Sequence, residues 1–153
     1  MDNSILLKIS KKQNFENFLI SIGILKNINF DIEEVGETQL GRWGKCKLAT
    51  VAFGHGLATT LLQLAKGYSI VSNGGYEVEP TLILNEKKRN IRYQQIISED
   101  VSKKVILALR KIVTTKEGTA SFANIDGYEI AGKTGTAQKS ISGGYSKKKI
   151  NTF

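Results

Sequence analysis

The sequence has few of the residues that cross-link a chain or bind metal. Its 153 residues include one cysteine, one histidine and one proline. The single cysteine, Cys46, cannot form an internal disulfide, which excludes a scaffold held together by disulfides. Cys46 and His55 do not complete a metal site unless several carboxylates join them. We therefore expect neither a metal site nor a cofactor.

Long apolar runs are absent as well. The longest candidate, residues 48 to 71, is interrupted by Gly54, His55, Gly56, Gln63 and Lys66. A membrane helix needs roughly 18 or more predominantly apolar residues, so this segment does not qualify. The first residues also lack the basic region that opens a signal peptide. The 153 residues therefore contain no predicted signal peptide or transmembrane segment.

The charge is basic but poor in arginine. Lysine and arginine total 22 against 14 acidic residues, which gives a net charge of +8, and only four of the 22 are arginine. No arginine stripe with interleaved aromatic residues, such as nucleic-acid-binding surfaces carry, is present. The densest cluster, Lys147-Lys148-Lys149, is interpreted as an exposed loop. We predict a solvated basic surface and no nucleic-acid partner.

Three helices are predicted from apolar spacing and capping residues. Residues 4–24 show helical spacing in two pieces that end near Gly23. Thr60-Leu61-Leu62-Gln63 has the spacing of a capping box. Ser98 is a good N-cap for a further helix. The second helix is expected to bury Leu61, Leu64, Ala65, Tyr68 and Val71, and the third to present Val101, Val105, Leu109 and Ile112 on one face.

Short strands are predicted between and after these helices. Residues 81–84 and 90–97 have strand-like composition, and residues 128–132 lead as a strand into residues 133–137. Residues 142–144 mark a turn, and residues 150–153 read as a further strand.

The most informative motif is Lys133-Thr134-Gly135, which is followed by Thr136. On an edge strand, the lysine and the two threonine hydroxyls can offer a cation and hydrogen-bond donors to a substrate carboxylate. Gly135 removes a side chain, so a substrate backbone can lie against the strand. The backbone N–H of Thr136 can serve as one oxyanion-hole donor. The triplet alone also fits an ordinary strand-to-turn segment.

The residues around the motif resemble one family over nearly the whole chain and in the same order. Lys-Thr-Gly is a signature of the serine penicillin-binding proteins and β-lactamases. The remaining blocks resemble the class B penicillin-binding proteins, which are peptidoglycan D,D-transpeptidases, and most of all the septal, cell-division type. These blocks are Phe53–Gly56, Thr60–Tyr68, Ser72–Gly75 with Pro80, Gly118–Ala120 and Gly143–Ser146.

The resemblance implies an α+β fold, a partial penicillin-binding protein/β-lactamase-like transpeptidase fold in which helices pack on an incomplete antiparallel sheet. Residues 1–153 would form one partial domain that starts near the Ser-x-Asn motif and ends just after the Lys-Thr-Gly strand. In that register Asn3 is the motif asparagine and Met1 occupies the position of its serine. The full-length family is anchored in the bacterial inner membrane with this domain in the periplasm.

The resemblance also implies ligands and roles. Lys133, Thr134 and Thr136 would hold the terminal carboxylate of a peptidoglycan stem peptide, with Gly135 between them. Asn3 would contact the substrate amide. β-Lactams would occupy the same site.

The family nucleophile has no counterpart in the expected place. Family chemistry needs a serine followed by a lysine three residues later, so that one helical turn places the amine beside the hydroxyl. The only Ser-x-x-Lys here is Ser146 to Lys149, which follows Lys-Thr-Gly and so has the wrong order. We interpret it as a coincidence. We expect a fragment, truncated at both ends, that holds no catalytic residue and is inactive alone.

Two other functions remain open. The chain could be a non-catalytic interaction protein or a complementing fragment that binds an upstream half or cell-division proteins. It could also be a relative of the β-lactamases or penicillin sensors, although the block from Phe53 to Gly75 resembles the transpeptidases instead.

Overall fold

The computed structural model describes residues 12–32, 35–40, 47–84, 93–141 and 144–153. Its helices are α1 (Lys12–Ser21), α2 (Lys47–Ala52), α3 (Leu61–Ser72) and α4 (Glu99–Thr114), with a 3₁₀ turn at Ser121–Ala123. Its strands are β1 (Gln39–Leu40), β2 (Leu57–Ala58), β3 (Gly135–Ile141) and β4 (Gly144–Thr152). Helices combined with small antiparallel sheets confirm the predicted α+β class. The chain divides into two compact units, Met1–Ser98 and Glu99–Phe153.

The first unit has its core between α1 and α2. Leu19 of α1, Ile24 and Val51 of α2 are buried together. Helix α1 ends just before Gly23, which has a φ of 84°, in agreement with the predicted end of the first helix. The other predicted piece of that helix, residues 4–11, lies outside the described residues. Strands β1 and β2 pair antiparallel beside this core.

The predicted capping box at the start of α3 is confirmed. The Thr60 hydroxyl accepts a hydrogen bond from the backbone N–H of Gln63 at 3.1 Å, and the Gln63 side-chain oxygen accepts one from the Thr60 N–H at 3.0 Å. Both N–H groups belong to the helix start, where no carbonyl of the helix can reach them. The capping box therefore fixes where α3 begins.

The predicted buried face of α3 is wrong. The buried residues are Gln63, Lys66, Gly67 and Ile70, whereas Leu61, Leu64, Ala65 and Tyr68 are exposed and Val71 is half-buried. Leu61 is 84% exposed. Apolar spacing alone predicted the opposite face, because it gives no weight to polar side chains that find partners in the core.

The polar partners explain why α3 turns this way. The Gln63 amide donates to the Lys26 carbonyl at 3.1 Å and accepts from the Thr38 and Thr59 hydroxyls at 2.8 and 3.0 Å. The Lys66 amine lies 3.4 Å from a Glu77 carboxylate oxygen. A buried polar group costs little free energy once it is hydrogen-bonded or paired. These contacts hold the polar residues of α3 inside the first unit.

The strand predicted at residues 81–84 is not formed, and within the described part of the one predicted at residues 90–97 no regular strand is present. Asp31 accepts hydrogen bonds from the Thr81 hydroxyl and the Leu82 N–H, which bends the chain at residues 81–84 instead of leaving it extended. Within residues 93–97, pairing is limited to an isolated bridge between Tyr76 and Gln95. Residues 90–92 lie outside the described part.

The second unit begins with α4. The helix starts at Glu99, directly after the predicted N-cap Ser98. Glu99 and Asp100 in the first turn and Lys111 in the last turn complement the helix dipole. Of the predicted face, Val105, Leu109 and Ile112 are half-buried, but Val101 is 45% exposed. The helix and its position agree with the prediction, and its first apolar residue lies at the surface.

Strands β3 and β4 form an antiparallel hairpin in the second unit. Gly135 lies opposite Thr152, Thr136 opposite Asn151 and Gln138 opposite Lys149, and the register shifts between Gln138 and Ser140. The strand predicted for residues 128–132 is not formed, because regular pairing starts at Gly135. Of the turn predicted at residues 142–144, residues 142 and 143 lie outside the described residues, and Gly144 is the first residue of β4.

The lysine cluster at residues 147–149 was predicted as a loop, and this prediction is wrong. All three lysines are exposed, but they belong to β4, in which Lys149 lies opposite Gln138 of β3. The predicted last strand, residues 150–153, is the end of this longer strand. Across the described residues, no helix is long and apolar enough to span a membrane.

Candidate substrate-carboxylate site

The chain that leads into the motif is attached to α4. The Arg110 guanidinium donates to the Ile130 carbonyl at 2.6 Å, and the Gly132 N–H donates to the Leu109 carbonyl at 3.5 Å. Both contacts fall within three residues before Lys133. Helix α4 therefore positions the backbone from which the motif starts.

Two glycines allow close approaches on either side of the motif. A Cβ atom at Gly132 would come within 2.7 Å of the Phe153 ring, and one at Gly135 would come within 2.5 Å of the Thr152 hydroxyl oxygen. Side-chain carbon atoms do not approach other atoms this closely without a shift. Gly132 and Gly135 thus let the end of β4 pack against the start of β3. The predicted role of Gly135, close approach of a substrate backbone, remains a prediction.

The motif side chains differ in exposure. Lys133 and Thr136 are exposed, whereas Thr134 is half-buried. The Lys133 amine donates to the carbonyl of Thr134 at 2.6 Å. Lys133 and Thr134 lead directly into β3, and Thr136 is the second residue of that strand. The motif thus places one ammonium and two hydroxyls within four consecutive residues.

The Thr134 hydroxyl lies 2.9 Å from the hydroxyl of Thr119, which is 15 residues earlier in the chain. The sequence singled out the turn at Gly118-Thr119-Ala120 but assigned it no role. Spacing alone could not reveal the contact, because it depends on how the turn packs on α4. The signal that the sequence did carry is a lone hydroxyl between two small residues.

One edge of β3 has no strand partner among the described residues. Strand β3 pairs with β4 in a two-stranded sheet. An unpaired strand edge presents backbone N–H and C=O groups to which an extended peptide can add. A peptide that lies along this edge would have its end near the cation and hydroxyls at the start of β3.

The other sequence candidates are placed as follows. Asn3 lies outside the described residues, so its predicted contact with a substrate amide stays a prediction. Ser146 and Lys149 both lie in β4, where the Ser146 hydroxyl accepts from the Lys148 N–H at 3.1 Å. The stretch between them lies in a strand, not in a helix, and contains the register shift between β3 and β4. The pair therefore lacks the helical turn that brings an amine beside a hydroxyl.

The arrangement can bind an anion. A lysine ammonium and hydroxyl donors form charge-assisted hydrogen bonds to a carboxylate, which are stronger than neutral ones. Among the described residues, no three His, Cys, Asp or Glu side chains are grouped so that they could hold a metal ion. The site is thus suited to hold and orient a carboxylate.

The sequence was compared with known proteins. Stage V sporulation protein D of Bacillus subtilis is 32% identical in an alignment of 147 positions that covers 88% of this chain and 22% of that protein. The probable peptidoglycan D,D-transpeptidase PenA of Neisseria flavescens is 33% identical in an alignment of 138 positions that covers 88% of this chain and 33% of that protein. The chain thus spans a third or less of the length of these two relatives.

The fold has solved counterparts. The apo structure of the TP domain from Burkholderia pseudomallei penicillin-binding protein 3 superposes with a TM-score of 0.83 and 25% sequence identity, over 94% of this chain and 44% of that one. This confirms the predicted transpeptidase fold. Residues 6–153 match the family described as the penicillin binding protein transpeptidase domain. The chain belongs to this family of penicillin-binding transpeptidase domains.

Proposed function

We propose that this chain supplies the carboxylate-binding strand of a peptidoglycan D,D-transpeptidase that cross-links stem peptides during cell division. One observation supports the proposal: Lys133 and Thr134 lead directly into β3, whose second residue is Thr136, in a chain that matches the transpeptidase family over residues 6–153. The edge of β3 that faces away from β4 has no strand partner among the described residues, so an extended peptide can lie along it.

The proposed reaction is acyl transfer in two steps. A serine hydroxyl attacks the carbonyl between the last two D-Ala residues of a stem peptide, the C–N bond breaks, and the terminal D-Ala leaves with the proton. An amine on the stem peptide of a neighbouring peptidoglycan strand then attacks the ester, which forms the cross-link and returns the proton to the serine. In both steps the charge that develops on the carbonyl oxygen needs hydrogen-bond donors.

The residues of this chain have binding roles in that scheme. Lys133 and the hydroxyls of Thr134 and Thr136 hold the terminal carboxylate, which fixes the scissile bond relative to β3. The N–H of Thr136 is one oxyanion donor, and Asn3 contacts the substrate amide. Ser-x-x-Lys does not occur before Lys133 in the 153 residues. We therefore propose that the nucleophile comes from residues outside them, and that this chain alone binds without reacting.

β-Lactams are proposed as ligands of the same site, since the name of the family refers to penicillin binding. A penicillin carries a carboxylate beside its reactive carbonyl, so it can use the same cation and hydroxyls as the terminal D-Ala. We propose in addition that the complete protein is anchored in the bacterial inner membrane with this domain in the periplasm, because its proposed substrate is cell-wall peptide.

A second candidate function is that of a complementing fragment that binds another part of the transpeptidase fold. It is favoured by exposed apolar side chains of the first unit, among them Phe53, Leu61 and Tyr68, which are 66%, 84% and 43% exposed. Apolar surface of this kind is a common feature of protein contacts. The chain covers 44% of the solved transpeptidase domain, so more than half of that fold could cover this surface.

Intact-mass spectrometry after incubation with a fluorescent penicillin tests the absence of a nucleophile. We expect the 153-residue chain to remain at its own mass, because removal of the attacking group leaves only binding. If a second chain that carries the Ser-x-x-Lys segment of a relative is added, complementation predicts an adduct on that second chain. A stoichiometric adduct on the 153-residue chain itself, above all at Ser146, would show that this chain contains a nucleophile. That result would refute the proposal that the chain binds the ligand without reacting.

A further inference from the structure

The turn at Gly118-Thr119-Ala120 is joined to the carboxylate motif by one contact between hydroxyls. The Thr119 and Thr134 oxygens are 2.9 Å apart, and either one can donate the hydrogen. Thr119 is exposed, whereas Thr134 is half-buried. The contact therefore lies at the surface of the second unit, where a ligand can reach it.

Small residues on both sides of Thr119 hold the turn against the end of α4. A Cβ atom at Gly118 would lie 2.1 Å from the Ile112 carbonyl oxygen. Ala120 is fully buried, and its N–H donates to the same carbonyl at 3.3 Å. Larger residues at either position would push the turn away from the helix. The turn is thus docked by Gly118 and Ala120, which leaves Thr119 in between to face the motif.

The same helix holds the other hydroxyl in place. The Leu109 carbonyl of α4 accepts a hydrogen bond from the Gly132 N–H, and the Arg110 guanidinium donates one to the Ile130 carbonyl. Both contacts lie just before the motif. One helix therefore carries both sides of the Thr119–Thr134 contact. Such a shared support keeps the Thr119 and Thr134 hydroxyls within hydrogen-bond distance, although the two segments are 15 residues apart in the chain.

We propose that Thr119 is a positioning residue that orients the Thr134 hydroxyl toward a bound carboxylate. A hydroxyl has one hydrogen to donate and can accept at its oxygen. A carboxylate only accepts, so Thr134 must donate its hydrogen to it, and Thr119 then donates to the Thr134 oxygen. In this chain of donors each hydrogen bond polarises the next one. The proposal rests on the proposed function, because it assumes that the motif binds a carboxylate.

Three variants of the 153-residue chain test the proposal. Thr119→Val keeps the shape of the side chain and removes the hydroxyl, and Thr119→Ser keeps the hydroxyl. Thr114→Val is the matched control, since the Thr114 hydroxyl is exposed and donates to the Arg110 carbonyl of α4 rather than to the motif. The ligand is a synthetic peptide that ends in D-Ala-D-Ala with a free carboxylate, titrated into each variant by NMR.

We expect Thr119→Val to weaken binding of the peptide about threefold to tenfold, which is the effect of one neutral hydrogen bond. Thr119→Ser and Thr114→Val should bind within about twofold of the original chain. Without ligand, three-bond couplings should show one preferred χ1 rotamer of Thr134 in the original chain and in Thr119→Ser, and averaging in Thr119→Val. A merely structural role would lower the unfolding midpoint and leave this rotamer unchanged.

The outcomes separate this inference from the proposed function. If the original chain binds the peptide, and Thr119→Val binds it equally well with an unchanged Thr134 rotamer, the positioning role is refuted while the carboxylate site stands. Equal losses in Thr119→Val and Thr119→Ser would also refute it, because the hydroxyl would then not matter. If the original chain shows no binding of the free-acid peptide, the proposed function fails, and the positioning role fails with it.

Discussion

Replacing Lys133 with methionine is expected to weaken binding of a peptide that ends in D-Ala-D-Ala by about 10- to 100-fold, the range of a hydrogen bond to a charged group. Methionine keeps a similar length and removes the ammonium, which is the only cation of the motif. The Lys133 amine is exposed and donates to a backbone carbonyl at 2.6 Å, so it is available at the surface beside the two threonines. Dissociation constants from NMR titration of the 153-residue chain give the measurement.

Lys139→Met is the matched control for this prediction. Lys139 is also an exposed lysine of β3, and its replacement changes the net charge by the same amount. A long-range effect of charge would weaken binding equally in both variants, and salt would screen it. Equal affinities for Lys133→Met and Lys139→Met would contradict a carboxylate site at the start of β3.

Gly118→Ala is expected to lower the free energy of unfolding by about 1–3 kcal/mol, the usual cost of forcing an extra carbon into a packed site. The new Cβ would lie 2.1 Å from the Ile112 carbonyl oxygen and 3.0 Å from that of Thr115, and both are backbone atoms that cannot rotate away. The turn must then move, which separates Thr119 from Thr134. Peptide binding should therefore weaken along with stability, as denaturant unfolding and titration of the same variant can show.

Gly144→Ala provides the control for the loss of a glycine. Gly144 opens β4, and a Cβ atom there would meet no atom within 4 Å. We expect a change in unfolding free energy within about 0.5 kcal/mol, as for most surface substitutions. If Gly118→Ala were as stable as Gly144→Ala, the close packing of the turn on α4 would be refuted, and with it the reason for Thr119 to face the motif.

Local signals predicted several elements well. The capping box at Thr60 and Gln63 could be predicted from the sequence, because the two residues are three positions apart and form hydrogen bonds with each other. The start of α4 after Ser98 and the end of α1 before Gly23 also depend on residues that are near in sequence. The Lys-Thr-Gly motif pointed to β3 for the same reason, although the strand begins at Gly135 and not before it.

Long-range contacts account for the errors. The face of α3 depends on Thr38, Lys26 and Glu77, which bind Gln63 and Lys66 from elsewhere in the chain. The bend at residues 81–84 depends on Asp31, about 50 positions earlier. Hydropathy patterns describe one segment at a time, so they cannot show which polar side chain will be satisfied by a distant partner.

In the candidate site, too, the local features could be predicted from the sequence and the long-range contacts could not. The chemistry of Lys133, Thr134 and Thr136 could be predicted from residue types alone, since a cation and hydroxyls suit a carboxylate. The role of Arg110 and Leu109 in holding the preceding backbone, and the contact of Thr119 with Thr134, could not. Both depend on the motif and the segment before it packing against α4 and the following turn, which are 15 to 23 residues earlier in the chain.

The most direct measurement is an NMR titration of the 153-residue chain with two peptides that differ only at their ends, one with a free C-terminal carboxylate and one with a C-terminal amide. We expect the free-acid peptide to shift the signals of residues 133–136, and the amide to bind at least about tenfold more weakly because it lacks the charge that Lys133 recognises. Equal affinities for the two peptides, or shifts confined to residues away from β3, would contradict a carboxylate-binding strand.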